Sequence, residues 1–387
     1  MRIAVTIARW LVGVLFILSG LVKANDPLGL SYKMQEFFEI WNIGLGSSGF
    51  FARNALISLF TFLHGHSLAL SLVMIVLEIV AGVALILGWR RRLVLNGLLL
   101  LIVFFTFLTA YAFWSGKFKN CGCFGDCLPI TPGTSFGKDI ALLVLIGFLI
   151  AGRRYITPLL SPKGSLLVLL GALAVTIGLQ AYVLTYLPLA DCLPFKKGNY
   201  LPAQMKAPPG ALQDSFAIRF AYEKGGKRFE FAPEDLPADL DTYTFKERTD
   251  KLIRKGNAEP PIKGFSLQGI AGVDSTALIL ALPKAALLFC EGLKDIDEAA
   301  LQAFRRTVEG SRGRLPVYIA VSASPEQAYP FFAQKGIRVD GIFACDGTVV
   351  RTAARTNPTL YYLEKGVVVR KWGRGDLEDS QDIGKGR

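Results

Sequence analysis

Histidine is nearly missing from this chain: His64 and His66 are the two in 387 residues. Histidine is the commonest general acid–base group, so its scarcity argues against a histidine-based catalytic centre. Two histidines at i, i+2 would suit a metal on a strand; at the end of a long loop they read as interfacial polar residues. Charge is thin as well, at 19% of residues against roughly 25% in an ordinary soluble domain. The balance is basic, +12, but the excess lies in short loops beside apolar runs, where it reports topology. No nucleic-acid partner is expected from it. Cysteine is limited to six residues, and no two of them stand as Cys-x-x-Cys, so the usual zinc knuckle is missing.

What is abundant is apolar sequence, 52% of the chain, concentrated before residue 190. Five stretches read as membrane spans: Ile3–Val22, Ser67–Leu87, Leu93–Trp114, Ile140–Ala151 and Ser165–Leu187. A spanning helix needs about 20 apolar residues. The fourth stretch is short by that measure and is expected to extend back through Phe136, Gly137, Lys138 and Asp139. The first resembles a signal peptide, with Arg2 and Arg9 near its start and Ala24 as a cleavage position. No clean small-x-small site follows, so an uncleaved helix is expected.

Basic loops set orientation. Arg90, Arg91 and Arg92 form one short loop, and Arg153, Arg154 and Lys163 another. With Arg2 they place the N-terminus in the cytoplasm. Alternation then puts loop 23–66, loop 115–137 and everything after Leu187 outside, facing one oxidising compartment around a multi-pass membrane protein. Loop 23–66 mixes Phe37, Phe38, Trp41, Phe50 and Phe60 with polar residues, which fits helices lying in the interface.

The densest chemistry is Asn120-Cys121-Gly122-Cys123-Phe124-Gly125-Asp126-Cys127, and Cys192 follows the last apolar run. The thiolate is the reactive form and nearby positive charge favours it; Lys117 and Lys119 precede Cys121. Gly122 and Gly125 permit tight turns. Cys121 and Cys123 are too close in sequence for an unstrained bridge, and strain makes a disulfide easier to reduce. One of them is expected to pair with Cys127 or Cys192. Two readings stay open: disulfide exchange among Cys121, Cys123, Cys127 and Cys192, or fixed disulfides that staple the outer loops. Zinc on four thiols is a weaker third, and no metal site is expected. Glu78 sits mid-span, where a carboxylate either marks a proton or ligand path or stays neutral and hydrogen-bonded to a neighbouring helix. Asp139 is expected to cap the fourth span.

Ser19-Gly20-Leu21-Val22-Lys23 with Asp26-Pro27, Glu78 with Gly82 and Gly88, Cys121-Gly122-Cys123-Phe124-Gly125, and Lys138-Asp139 together resemble the DoxX/MauE family over residues 1–160. The resemblance implies a four-helix bundle similar to vitamin K epoxide reductase and to membrane disulfide-forming enzymes. MauE-like members are associated with disulfide formation in methylamine dehydrogenase maturation, hence methylamine utilisation, and DoxX relatives with sulfur-compound oxidation. It implies Cys121 and Cys123 as redox thiols and a bundle able to hold a quinone, with Glu78 as the candidate cofactor-binding residue. The chain departs from the disulfide-forming enzymes in having no Cys-x-x-Cys beside the bundle.

After residue 190 the pattern changes. Phe216–Phe231 alternates around Lys224-Gly225-Gly226-Lys227, a hairpin signal, and charged Asp235–Lys255 is expected to hold a short helix. Strands are expected over Ala285–Cys290 and Pro316–Ser322, helices over Asp297–Glu309 and Pro325–Lys335, and a hairpin over Thr359–Leu363 and Val367–Trp372. This β-α-β-α-β-β order, with Asn357-Pro358-Thr359 entering the last hairpin, resembles the thioredoxin fold. Phe265-Ser266-Leu267, Gly272, Asp274 and Ser275 resemble the lead-in of membrane-anchored TlpA-like thioredoxins. The redox motif is absent, since Glu291-Gly292-Leu293-Lys294 follows Cys290. Cys290 and Cys345 read as buried structural thiols.

The expected architecture is an α-helical membrane bundle, a four-helix DoxX/MauE-like core (1–160) plus a fifth span (161–190). A linker with a β-hairpin (191–259) and an α/β thioredoxin-like soluble domain lacking Cys-x-x-Cys (260–378) follow. A DoxX-like protein with a fused thioredoxin-like tail, of the Bacteroidota type, is what the whole resembles. The expected function is a membrane thiol–disulfide oxidoreductase or maturation factor acting on periplasmic client proteins, embedded in the lipid bilayer. The alternatives are a non-enzymatic scaffold with structural disulfides and a DoxX-type sulfur-compound:quinone oxidoreductase subunit.

Overall fold

The computed structural model describes residues 1–387 except 48, 119–124, 126, 128, 129, 214, 255, 257, 295, 384–387 and the side chain of Leu252. The N-terminal region is helical: α1 (Arg2–Asn25), α2 (Pro27–Gly46), α3 (Arg53–Gly65), α4 (Ser67–Leu87), α5 (Arg91–Ser115), α6 (Pro132–Ala151) and α7 (Pro162–Thr185). Five of these, α1, α4, α5, α6 and α7, are long and apolar enough to cross a bilayer. The long loop 23–66 holds two helices, α2 and α3.

Along α1 the buried residues Val5, Ala8, Val12, Phe16, Gly20 and Lys23 recur every three or four positions, so one stripe of the helix faces its neighbours. That stripe meets α4 closely. A Cβ on Gly82 would stand 2.8 Å from the Gly13 carbonyl oxygen, so a side chain there would force the two helices apart. At the far end of this pair, Arg9 reaches across to the last turn of α4. Its Nε donates to Leu85 O at 2.9 Å and its Nη1 to Thr157 O at 2.9 Å, and Nη2 bonds Ile86 O. A cation on those unpaired carbonyls complements the helix terminus.

The fourth span is a full 20-residue helix. It starts eight residues before Ile140 because Thr131 caps it, accepting from Thr134 N at 3.3 Å, and Pro132 occupies the first turn, where its missing N–H costs nothing. Asp139 is therefore not the cap expected of it. It lies in the helix interior and is fully buried.

Beyond α7 the chain is strand-rich. After a one-turn α8 (Leu201–Gln204), β1 (Ser215–Lys224), β2 (Lys227–Phe231) and β3 (Thr244–Arg254) form an antiparallel sheet in the order β2-β1-β3. Gly225 and Gly226 both hold positive φ, 60° and 75°, as a two-residue hairpin turn requires. β3 occupies the stretch where a short helix was expected. Its charges find partners across the ladder, Lys246 with Glu223 at 3.0 Å and Glu247 with Arg228 at 3.0 Å, contacts that an isolated helix would not offer.

The second sheet combines α9 (Thr276–Ala281), β4 (Ala285–Cys290), α10 (Glu298–Ser311), β5 (Val317–Val321), α11 (Pro325–Gln334), β6 (Gly341–Ala344), α12 (Gly347–Ala353), β7 (Thr359–Glu364) and β8 (Val367–Trp372). Strand order is β6-β5-β4-β7-β8, with β4, β5 and β6 parallel and β7 and β8 antiparallel. β6 and α12 add one unit to the expected order; β6 has only four residues, too few to show a period. Leu288 and Cys290 face α10 and α11 on one side, and Leu287 and Phe289 face α9 and α12 on the other. Phe195 and Leu201 are buried in that second core, so the chain leaving α7 packs at once onto the sheet. The Asn357–Pro358 peptide is cis.

Candidate functional site

Three kinds of contact converge on the last turn of α1. Lys23 points inward, Asn25 toward the segment after α7, and Asp26 toward the α/β region.

Lys23 Nζ lies 2.5 Å from Glu78 Oε1, both side chains at 2% exposure or less. The ammonium also stands 4.3 Å from the Phe105 ring centroid, a cation–π distance. A second pair stands beside it: Lys138 Nζ is 2.5 Å from Asp139 Oδ1, and Thr109 donates to Asp139 Oδ2 at 2.9 Å. Both pairs line one internal cavity of about 20 Å³, which suffices for a single water by the rough 10–15 Å³ criterion. Glu78 Oε2 has no hydrogen-bond partner among the described residues. Glu78 thus faces the bundle interior, with a lysine rather than a neutral group as its partner. Buried charges persist only when paired, and here four helices supply the pairing.

Asn25 grips both backbone groups of Ala190: Nδ2 donates to Ala190 O at 2.9 Å, and Oδ1 accepts from Ala190 N at 2.9 Å. Two residues on, Cys192 is bridged to Cys127, with an S–S length of 1.95 Å and Cα atoms 4.9 Å apart. Cys192 is exposed and Cys127 half-buried. Gly125 sits over the same turn of α1, since a Cβ there would come within 3.5 Å of Val22 Cγ1. Cys192 and the α5–α6 loop therefore meet at one end of the bundle, opposite the loops that carry Arg90–Arg92 and Arg153–Arg154. Cys127 and Cys192 are bridged to each other, so neither is the partner expected for Cys121 or Cys123, and those two residues lie outside the described residues.

Asp26 caps α2 by accepting from Gly29 N at 3.1 Å and pairs with Arg355 at 2.9 Å, the two side chains 12% and 5% exposed. One turn along α2, the Tyr32 hydroxyl donates to Glu291 Oε2 at 3.0 Å. Glu291 also pairs with Arg351 at 3.1 Å, and both arginines stand over the Tyr32 ring. Burial and the Glu291 carboxylate push the Tyr32 phenol up. Glu291 N bonds Asn357 Oδ1 at 3.1 Å. The loops at the end of β4 and before β7, the stretch flagged by Glu291 and Pro358, thus face α2 of the same chain. A further pair ties the segment after α7 to the sheet: Lys371 on β8 lies 2.6 Å from Asp191.

Cys290 and Cys345 are free and buried. Burial pushes both thiols up, and Cys345, with Asp346 beside it, reaches about 12. Neither is a nucleophile near neutrality. His64 pairs with Glu39 on the α2–α3 surface at 3.1 Å, and His66 Nδ1 bonds Phe62 O at 2.8 Å. Between α2, α3, α4 and α5 lies an apolar cavity of about 690 Å³ walled by Phe38, Trp41, Phe60, Phe107 and Tyr111.

Glu78 and the Cys127 and Cys192 positions carried visible signals. Asn25, Arg355, Lys371 and Tyr32 did not. Each is an ordinary polar residue whose partner lies 165 or more positions away in all four cases, so no local spacing marks it. Lys23 could have been found, because a lysine ending an apolar span with a carboxylate in a later span suggests a pair.

Residues 1–152, the helical region through α6, match the family model described as methylamine utilisation protein MauE. Residues 216–255, which hold the three-stranded sheet, match a domain of unknown function, DUF8463. No curated protein and no solved structure matches the chain.

Proposed function

We propose that this multi-pass membrane protein exchanges disulfides with exported client proteins, with Cys127–Cys192 as the bond that is attacked and Cys121 and Cys123 as the pair that re-forms it. The observation that carries the reading is an accessible disulfide joining the α5–α6 loop to the segment after α7, with Cys192 exposed. A disulfide buried in packed protein would only staple; a sulfur open to solvent can be reached by a thiolate. The match of residues 1–152 to the MauE family model supports a disulfide-related role.

The electrons balance as follows. A client thiolate attacks the Cys192 sulfur, forming a mixed disulfide and releasing Cys127 as a thiolate. The client's second thiolate displaces Cys192, leaving an oxidised client and two cysteines that take up two protons. A Cys121–Cys123 disulfide then re-oxidises that pair by the same two displacements and becomes a dithiol. The outer face of the membrane, the periplasm of a bacterial inner membrane, is the compartment where such exchange would run, with the Arg90–Arg92 and Arg153–Arg154 loops in the cytoplasm. The α/β region, with three parallel strands followed by an antiparallel hairpin, supports a thioredoxin-like reading of residues 260–378 without its redox motif.

A quinone is the acceptor that the family resemblance implies. The cavity between α2 and α5 fits it in size and in apolar, aromatic lining, with Phe38, Trp41, Phe60, Phe107 and Tyr111 as the residues that would hold it. When bound, such a group would accept two electrons and two protons. Glu78 is not on that wall; it lines the small cavity with Lys23, and its proposed part is to hold charge beneath the disulfide.

The test is trapping in cells. Cys127→Ala leaves Cys192 as a lone exposed thiol and should accumulate mixed disulfides with exported proteins, whereas Cys290→Ala should not. Absence of any mixed disulfide in Cys127→Ala cells, with Cys127–Cys192 permanently oxidised in wild type, would support the scaffold instead.

A further inference from the structure

One charged pair at the Cys127–Cys192 bond joins the segment after α7 to the α/β region. The segment after α7 brings Asp191 directly next to Cys192. Its Oδ1 accepts from Leu193 N at 3.2 Å, arching the carboxylate over the Cys192 backbone, while its Oδ2 is held by Lys371 Nζ at 2.6 Å. Lys371 belongs to β8 of the α/β region and is 7% exposed against 25% for Asp191. The carboxylate is the more open partner, and the ammonium backs it from inside the protein. Burial opposes the charge on Lys371, but the Tyr361 hydroxyl and Asp191 outweigh it and hold the ammonium above the ordinary lysine value.

The same ends are fixed mechanically. Asn25 holds Ala190 through both backbone groups, and Ala190 O stands 3.9 Å from Cys127 Sγ and 3.8 Å from Cys192 Sγ. Asp26–Arg355 and Tyr32–Glu291 hold the α/β region against the start of α2, and Thr185 O accepts from Gly375 N at 2.9 Å just past β8. β8 is thereby kept beside the disulfide.

We propose that Lys371 is a positioning residue for exchange at Cys127–Cys192: the α/β region is docked on the bundle so that its lysine cancels the Asp191 carboxylate next to the sulfur that is attacked. This rests on the exchange reading above. The attacking thiolate and the leaving thiolate both carry negative charge, and the transition state spreads one such charge over three sulfurs. An unopposed carboxylate at the neighbouring residue repels it; a paired one does not. Docking of the tail then licenses exchange, and a tail that swings away leaves a repelled, slower disulfide.

The experiment measures the rate of reduction of Cys127–Cys192 in purified full-length protein by dithiothreitol, an uncharged reductant whose thiolate attacks. One dithiothreitol sulfur bonds to Cys192 as Cys127 leaves. Its second sulfur then displaces Cys192, and the two protein thiols take up protons from water. Lys371→Gln should slow the reaction about 3- to 10-fold at low salt, as roughly one uncancelled charge about 7 Å from water-exposed sulfurs implies at an effective dielectric of about 40–80. The deficit should shrink as salt is raised. Lys371→Arg should stay close to wild type, and Asp191→Asn/Lys371→Gln should recover most of the rate. A purely structural role for Lys371 gives a different pattern: the double variant, equally loosened, would react like Lys371→Gln. That result, or an unchanged rate in Lys371→Gln, overturns the proposal. Because the reductant is a small molecule, failure to trap a client in cells would sink the exchange reading while leaving this electrostatic effect intact.

Discussion

The junction between bundle and tail and the interior of the tail treat cysteine in opposite ways. At the junction, Cys127 and Cys192 are bridged, Cys192 is exposed, and charged pairs surround them: Lys23–Glu78 below, Asp26–Arg355 and Asp191–Lys371 beside. Inside the tail, Cys290 and Cys345 are unbridged and buried among apolar side chains. Burial in a core raises a thiol's pKa and removes its chemistry, so those two serve packing. The difference separates the parts: the soluble region has the sheet of an α/β domain but keeps its thiols out of reach, and the accessible sulfur chemistry stands where it touches the membrane helices.

That contrast can be broken at several depths. The largest effect should come from the root of the junction. Glu78→Ala leaves the Lys23 ammonium buried without its partner, and loss of one member of a buried pair costs about 3–5 kcal/mol. We expect a much lower melting temperature in micelles, with part of it regained in Lys23→Met/Glu78→Leu; a single variant as stable as wild type would mean that the pair is not closed in the membrane. Next, Arg355→Ala removes the ion pair to Asp26 and should weaken docking by about 2 kcal/mol, the scale of a hydrogen bond to a charged group. Faster proteolysis between α7 and β1, with the helical region still folded, is the readout, and unchanged cleavage would argue that the other contacts suffice.

A third effect appears only in alkali. The Cys345 thiol moves from an ordinary 9.0 to about 12, chiefly through burial. A group whose folded pKa is raised stabilises fully below its unfolded pKa and loses that contribution as pH rises toward the folded one. Stability should therefore fall between about pH 9 and about pH 12, and Cys345→Ala should lessen the fall; identical alkaline profiles would place the thiol in contact with water. The smallest effect is expected on the three-stranded sheet. Phe245 is 53% exposed, so Phe245→Ser should change stability by no more than about 0.5 kcal/mol. A larger loss would show that this face is covered in the assembled protein.

Much of the helical half was legible because long apolar runs and basic loops are local signals. The five apolar helices and the hairpin at Gly225-Gly226 all have a long apolar run or a turn residue that marks them. Even there, α6 began earlier than its apolar run, since Thr131 and Pro132 start a helix whose first turns are polar. Asp139, read as a cap, is buried because Thr109 and Lys138 pair with it from α5 and from its own helix. β3 was misread because its charges look helical until β1 and β2 supply partners. The junction was the least legible part. Asn25 and Ala190, or Asp26 and Arg355, are 165 and 329 positions apart, and only the fold brings them together.

The most direct test of exchange through the cysteine cluster is recovery after reduction. Cells are given a brief pulse of dithiothreitol, the reductant is removed, and the Cys127–Cys192 bond is followed by alkylation of free thiols. Wild type should re-form it promptly, whereas Cys121→Ala and Cys123→Ala should hold Cys127 and Cys192 as thiols for longer. Recovery in both variants at the wild-type rate would contradict the account and leave the bond as a staple.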